Sequence, residues 1–216
     1  MTTKSTSPAI LLVGATGPTG REILSLAAKS GRRIRALARN PMALDEGGYR
    51  HEVVRGDVLD QPSLVAALAG IDVVICVLGR TLTLKPVTLL SRGTANLLVA
   101  MAETGTTRIV CVTGMGAGDS RGHGGFFYDH LVLPVLLKSI YADKDRQEEI
   151  LRAVDVDWTI VRPARLTDGP ATGRYRELTD LTGVCMTRIS CKDVAAFLLK
   201  EAIDPHHRRR TVNLSD

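Results

Sequence analysis

The sequence predicts an α/β protein: a doubly wound parallel sheet with helices on both faces and a small C-terminal lobe. Three observations carry this. Short, continuous apolar runs alternate with segments of helical period along the chain, as a parallel sheet wrapped by helices requires. No internal repeat or second composition regime interrupts the alternation. The first apolar run also passes straight into a glycine-rich turn and then a helix.

Ala9–Val13 is apolar without alternation, as a strand buried on both faces would be. Gly14–Gly20 follows as a turn, then an amphipathic helix over Arg21–Ser30 closed by Gly31. Ile34–Ala38 and Glu52–Gly56 read as the second and third strands, and Gln61–Ala69 as a helix stopped by Gly70. Asp72–Leu78 is the clearest strand. Pro86–Glu103 has helical period, Arg108–Thr113 is a strand, and the six glycines of Gly114–Gly125 predict a loop. Leu131–Val154 reads as one long helix whose second half carries charges. Asp157–Val161 is the sixth strand. A hairpin-like Gly173–Ser190, a helix over Lys192–Ala202 and a short strand at Thr211–Leu214 complete the chain. Residues 1–8 are expected to be a disordered tail and 9–216 one domain, with 165–190 a minor extension over the carboxyl edge of the sheet.

Composition excludes several classes. Of 216 residues, 44% are hydrophobic and 24% charged, which is ordinary globular usage. The net charge of +5 is spread along the chain, its longest basic run being Arg208–Arg210, and aromatic content is 4%. Without clustered charge or stacking residues, nucleic acid is not an expected partner. No uncharged stretch approaches the roughly 18 residues of a membrane span, and the N-terminus lacks the apolar core of a secretory signal. The expected location is cytoplasmic. Cys76, Cys111, Cys185 and Cys191 form no CxxC pair or zinc-ligand cluster, so no metal site is expected. The cysteines read as reduced, structural thiols.

The turn Gly14-Ala-Thr-Gly-Pro-Thr-Gly20 joins the first strand to the first helix, the context in which a glycine triplet binds phosphate. Gly14 lets the chain leave the strand sharply, Gly17 lets backbone approach a pyrophosphate, and Gly20 permits close helix packing. Thr16 and Thr19 lie between them, and Pro18 suits the first helical turn. Where an NAD-preferring site carries an acid, about 20 residues further on, this chain has Arg39 with no Asp or Glu adjacent. A guanidinium binds a 2′-phosphate in bidentate fashion, so NADP(H) is expected over NAD(H). Arg35 reads as a second contact or a surface residue. Asp57 reads either as an acceptor for the adenine amine, with Val58 over the ring, or as a turn cap.

Val13–Gly20, Gly56-Asp57-Val58, Trp158-Thr-Ile-Val-Arg-Pro163, Thr167–Gly173 and Ile189-Ser190 before Asp193-Val194-Ala195 together resemble the atypical short-chain dehydrogenase/reductases with an NAD(P)-binding, Rossmann-like, NmrA-like fold. Within that group the likeness is to the flavin reductase/biliverdin reductase B type, and it runs from the first strand to the C-terminus. The resemblance implies that Gly14, Thr16, Gly17, Thr19, Arg39, Asp57 and Val58 hold the adenine half of the cofactor. It implies further that Leu78, Gly79 and Arg80 run beside the cofactor, with Thr113 and Pro163 near the nicotinamide.

The departures from the superfamily concern proton transfer. Registering the long helix on Trp158–Pro163 puts Lys144 at the lysine position of a Y-x-x-x-K arrangement and Ile140 at the tyrosine position. Tyr141 falls about 100° around the helix from Ile140, and Thr113 or Gly114 occupies the serine region. Ketone reduction without an acid should lose about 10²–10⁴-fold. Hydride transfer to a flavin or linear tetrapyrrole is less demanding, because charge delocalises until solvent protonates it. Tyr128, His130, Tyr141, Lys144 and Arg165 remain candidate proton donors or anchors. His130 is alternatively a solvent-facing loop residue, Lys144 part of a charged helix face, and Arg165 a surface ion-pair partner or an anchor for an acidic substrate tail.

The expected function is therefore an NADPH-dependent oxidoreductase acting on a small planar or acidic acceptor, flavin or biliverdin-like. The alternative is a non-catalytic NADP(H)-sensing regulator, and a weaker third reading is a sugar-nucleotide epimerase or dehydratase. Phe126-Phe127-Tyr128 fits a cover for a planar ligand or a dimer contact, leaving a monomer or a homodimer.

Overall fold

The computed structural model describes residues 8–47, 51–83 and 85–216. Most of the expected N-terminal tail, residues 1–7, lies outside the described residues. The chain contains β1 (Ile10–Val13), β2 (Ile34–Ala38), β3 (Glu52–Arg55), β4 (Val73–Cys76), β5 (Arg108–Val112), β6 (Asp157–Pro163), β7 (Arg165–Thr167), β8 (Arg176–Leu178), β9 (Arg188–Ser190) and β10 (Arg210–Ser215). Its α-helices are α1 (Pro18–Lys29), α2 (Gln61–Leu68), α3 (Leu89–Thr104), α4 (Lys138–Arg152) and α5 (Cys191–Ile203). The main sheet has the order β3-β2-β1-β4-β5-β6-β10-β8, and only β8 runs antiparallel to its neighbour. This is the Rossmann-like α/β architecture that the alternation predicts, with the strand order reversing between β1 and β4.

Strand side chains alternate between faces, so the unbroken apolar runs feed two cores. Ile10, Leu12, Val73 and Ile75 pack into the cluster that includes Ile23, Leu24, Phe197 and Leu198 of α1 and α5. Leu11, Val13, Val74 and Cys76 pack into the cluster that includes Leu64, Leu97, Met101 and Leu151 of α2, α3 and α4. Both faces are covered, which is why these strands contain no polar positions to alternate.

Two expectations are corrected. The helix anticipated over Leu131–Val154 is two pieces: a π-helical segment, Tyr128–Leu136, and α4. Pro134 is the physical cause, because it offers no N–H and its ring clashes with the carbonyl one α-turn back. A wider turn relieves that clash, and Leu137 N–H accordingly reaches back to the Val132 carbonyl. The hairpin anticipated over Gly173–Ser190 is also absent. Its two strands go to different sheets: β8 pairs with β10, while β9 pairs in parallel with β7.

Asp193 ties this C-terminal region together. It closes the start of α5 with Ser190, whose hydroxyl accepts from Asp193 N–H. Its carboxylate also accepts from the N–H groups of Thr172 and Gly173 and from the Thr172 hydroxyl. At the other side of the sheet, α4 builds the start of α3: the buried Asp143 accepts from Leu90 N–H at 2.8 Å and from the Ser91 hydroxyl. That tie explains why α3 begins at Leu89 although helical period starts near Pro86. Arg35 bonds the carbonyls of Ala67 and Ala69 and pairs with Glu52, so it braces β2 against α2 and is not a cofactor contact. Among the described residues no helix is long and apolar enough to cross a membrane.

Candidate functional site

A cavity of about 660 Å³ opens at the carboxyl ends of β1 to β6, across the point where the strand order reverses. Open α/β sheets place their ligands there. Gly14, Thr16, Gly17, Pro18, Thr19, Gly20, Arg39, Asp57, Val58, Leu78, Gly79, Arg80, Thr113 and Pro163 all line it. Tyr141, Lys144 and Arg165 line it as well, with Met115, Tyr128, Ile140 and Leu166. His130 does not. Its exposed ring stacks on Phe126 with centroids 4.6 Å apart, and Nδ1 lies 3.0 Å from the Phe126 carbonyl.

The glycine turn is built as its spacing suggests, with one refinement. Gly14 has φ +91°, and a β-carbon on it would lie 2.5 Å from the Val77 carbonyl oxygen on β4's continuation. A β-carbon at Gly20 would come within 2.4 Å of the Gly14 oxygen and 2.8 Å of Ala15 Cα. The third glycine thus lets α1 close on the turn itself, beside the sheet. Gly20→Ala is expected to cost about 1–3 kcal/mol of stability, as overpacking does, and to weaken nucleotide binding together with it. Thermal unfolding with and without NADPH checks this. No side chain caps the start of α1, and Pro18 stands at its first positions. The uncapped N–H groups there suit an anion, so the turn fits a dinucleotide.

Arg39 is exposed at the end of β2 and, like Arg80 and Arg165, has no carboxylate partner among the described residues. The neighbouring short helical turn, Pro41–Gly47, is braced by Arg21, which bonds the carbonyls of Thr16 and Ala43. Asp57 Oδ1 accepts from Leu59 N–H at 2.9 Å, as a turn cap does, and the residue also lines the cavity. Val58 is buried, and its carbonyl accepts from Asn96 on α3.

At the other half of the cavity, α4 presents three side chains together. Residues 140, 144 and 141 span only about 100° of helix circumference, with 144 in between. The one-residue offset of Tyr141 therefore leaves it on the same wall as Lys144, and the two touch: Nζ sits 4.5 Å from the centre of the Tyr141 ring. Tyr141, out of register with the usual tyrosine position but kept as a candidate proton donor, thus lines the cavity. Tyr128 donates its hydroxyl to Tyr141 Oη at 3.1 Å or to the Met115 carbonyl at 3.2 Å. Burial raises both phenols, Tyr141 well above its ordinary value. Burial lowers Lys144 to about 8, opposed by the charge of Glu148.

The Thr113 hydroxyl donates to Glu148 Oε1 at 2.7 Å, so its proton is committed away from the cavity and it does not act there as an acid. Glu148 belongs to a group that the motifs did not single out. Arg162 donates to both its oxygens, Nε to Oε1 at 2.8 Å and Nη2 to Oε2 at 2.6 Å. Arg152 adds a bond to Oε2 at 2.9 Å, and Arg162 also pairs with Asp119. The available signal was a single arginine inside the apolar run Trp158–Pro163, which a buried strand tolerates only with an acid beside it.

A family profile described as NAD(P)H-binding matches residues 14–205, which includes nearly every cavity residue. The chain belongs to the NAD(P)H-binding family. A full-length relative from Bacillus subtilis (strain 168), named uncharacterized sugar epimerase YhfK, is 27% identical over 215 residues, covering 96% of this chain and 94% of the relative. Among solved structures, ChuY from Escherichia coli O157:H7, described as an anaerobillin reductase, superposes with a TM-score of 0.81 at 24% identity over 96% of both chains. A short-chain dehydrogenase/reductase from Veillonella parvula DSM 2008, solved in complex with NADP, gives 0.78 at 16% identity, covering 98% of this chain and 95% of the other. These two likenesses show the shared fold. This member of the NAD(P)H-binding family is thus similar to proteins described both as reductases and as an epimerase.

Proposed function

We propose that the protein is an NADPH-dependent reductase of a small, planar, acidic acceptor of flavin or biliverdin type. The observation that carries this is the charge of the cavity: Arg39, Arg80, Lys144 and Arg165 line it against one acid, Asp57. Such a lining recruits ligands rich in phosphate or carboxylate at both ends. The N–H groups at the start of α1 bind the pyrophosphate, and Arg39 takes the 2′-phosphate. Asp57 accepts from the adenine amine under Val58. Lys144 holds the nicotinamide ribose, and Arg165 anchors the acidic tail of the acceptor. When bound, NADPH supplies a hydride. Tyr141 Oη, which accepts from Tyr128, offers a proton at the same wall. Planar acceptors whose charge delocalises use that proton little.

The test is anaerobic NADPH oxidation with flavin mononucleotide, biliverdin or anaerobilin as acceptor. Turnover well above background is expected, and Tyr141→Phe should lower it by less than about tenfold, well short of the full general-acid effect. Saturable NADPH binding with no turnover on any acceptor would reject the reductase and favour the sensing regulator.

One observation favours a second enzymatic reading. The adjacency of Tyr141 and Lys144 removes the main argument against epimerase chemistry, and the Bacillus subtilis relative carries that description. An epimerase would interconvert nucleotide sugars without net cofactor consumption. Tyr141→Phe would then cost about 10²–10⁴-fold.

A further inference from the structure

Glu148 and Arg162 are each 1% exposed, and their carboxylate and guanidinium meet in a two-pronged pair deep behind the cavity wall. Burying two charges is costly, and a hydrophobic pair of the same volume holds a fold as well or better. The pair's neighbours suggest what it serves. Arg162 directly precedes Pro163, Glu148 receives the Thr113 hydroxyl, and Lys144 lies one helical turn before Glu148. Three pieces of the cavity wall, on β5, β6 and α4, thus converge on one carboxylate.

Around Lys144 stand the Tyr141 ring on its own helix, the Gly114 backbone and Cys111 thiol from β5, and Glu148. A β-carbon at Gly114 would come within 2.7 Å of Lys144 Nζ and 3.0 Å of Tyr141 Oη, so the ammonium is pressed against the loop that leaves β5. Behind Glu148 lie the cations Arg162 and Arg152, and beyond Arg162 the acid Asp119.

We propose that Glu148, clamped by Arg162, is a positioning residue for the reaction: it provides the counter-charge that keeps Lys144 cationic and directed at the cavity. This rests on the reading of Lys144 as a cofactor contact. Burial pulls the lysine down to about 8, and Glu148 is the carboxylate that opposes it. Removing Glu148 leaves burial and the two arginines unopposed. Removing Arg152 instead exposes Lys144 to more of the carboxylate's field.

The experiment is competitive acetylation of Lys144, read by mass spectrometry across the neutral and alkaline range, without cofactor. The natural protein should show a midpoint near 8. Glu148→Gln should lower it by about one unit, the low end of an opposite-charge effect, and Arg152→Met should raise it. The alkaline limb of NADPH oxidation should move in the same directions. Unmoved midpoints, with rates reduced evenly at every pH, would mean a merely structural pair and overturn the proposal. Should Glu148→Gln fail to fold, Arg152→Met decides alone, because that side chain is 40% exposed. Acetylation needs no turnover: opposed midpoint shifts in a protein that oxidises no NADPH would sink the reductase reading and leave Glu148's hold on Lys144 standing.

Discussion

Arg39→Glu is expected to weaken NADPH binding by about 100-fold or more, and to leave NADH binding within a few-fold of its original value. The guanidinium stands at the end of β2 with no carboxylate partner among the described residues. Each hydrogen bond to a charged group is worth about 1.5–3 kcal/mol, and every 1.4 kcal/mol is about tenfold in affinity. Losing a bidentate contact removes at least two decades, before the new carboxylate repels the phosphate. Fluorescence titration with both nucleotides checks the result. An equal loss for NADH would show that Arg39 shapes the site and does not read the 2′-phosphate.

Arg162→Met is expected to lower stability by about 3–5 kcal/mol at neutral pH, the cost of stranding a buried charge. The sign of its pH dependence follows from Glu148. Burial alone would raise that carboxyl, but the hydrogen bonds and charge of Arg162, then Thr113 and Arg152, hold it below its ordinary value. A depressed carboxyl contributes stability above its unfolded pKa, about 4.3, and that contribution is lost as pH falls through the folded value. Without Arg162 burial dominates, Glu148 takes up a proton on folding, and the deficit against the natural protein should shrink in acid. Urea unfolding at neutral and acid pH measures both. Pairing Arg162→Met with Glu148→Leu should recover much of the loss, since the charges then left without these partners, Asp119 and Arg152, reach solvent.

Much of this was legible in the sequence because the physics is local. A strand buried on both faces has to be continuously apolar, and a phosphate turn has to carry glycine where backbone atoms meet; Ile10–Val13 and Gly14–Gly20 satisfy both. Arg39 was readable for the same reason, since its position follows from the end of one strand. What depends on distant partners was not. The split at Leu137 needed the response of the chain to Pro134, and the pairings of β8 and β9 needed to know which sheet edge was open. The register of Tyr141 was legible only as its offset from Ile140; its angle to Lys144 is what puts both on one wall. The sequence singled out neither Asp143 nor Glu148, and Asp193 only within a family motif; the approach of Leu90, Arg162 and Thr172 reveals them as ties between elements.

The cavity is lined on one side by strand ends and the glycine turn and on the other by α4; of the adjoining π-helical stretch Tyr128–Leu136 only Tyr128 lines it, while Leu131, Val135 and Leu136 are exposed. Only Leu133 of that stretch is buried. The glycine turn and this stretch therefore answer to different constraints under mutation. Nearly any change at Gly14 or Gly20 collides with backbone, whereas Leu131, Val135 and Leu136 can vary in size and polarity with little penalty to folding. A lineage carrying this architecture can remodel that outer surface freely while its dinucleotide cradle stays fixed.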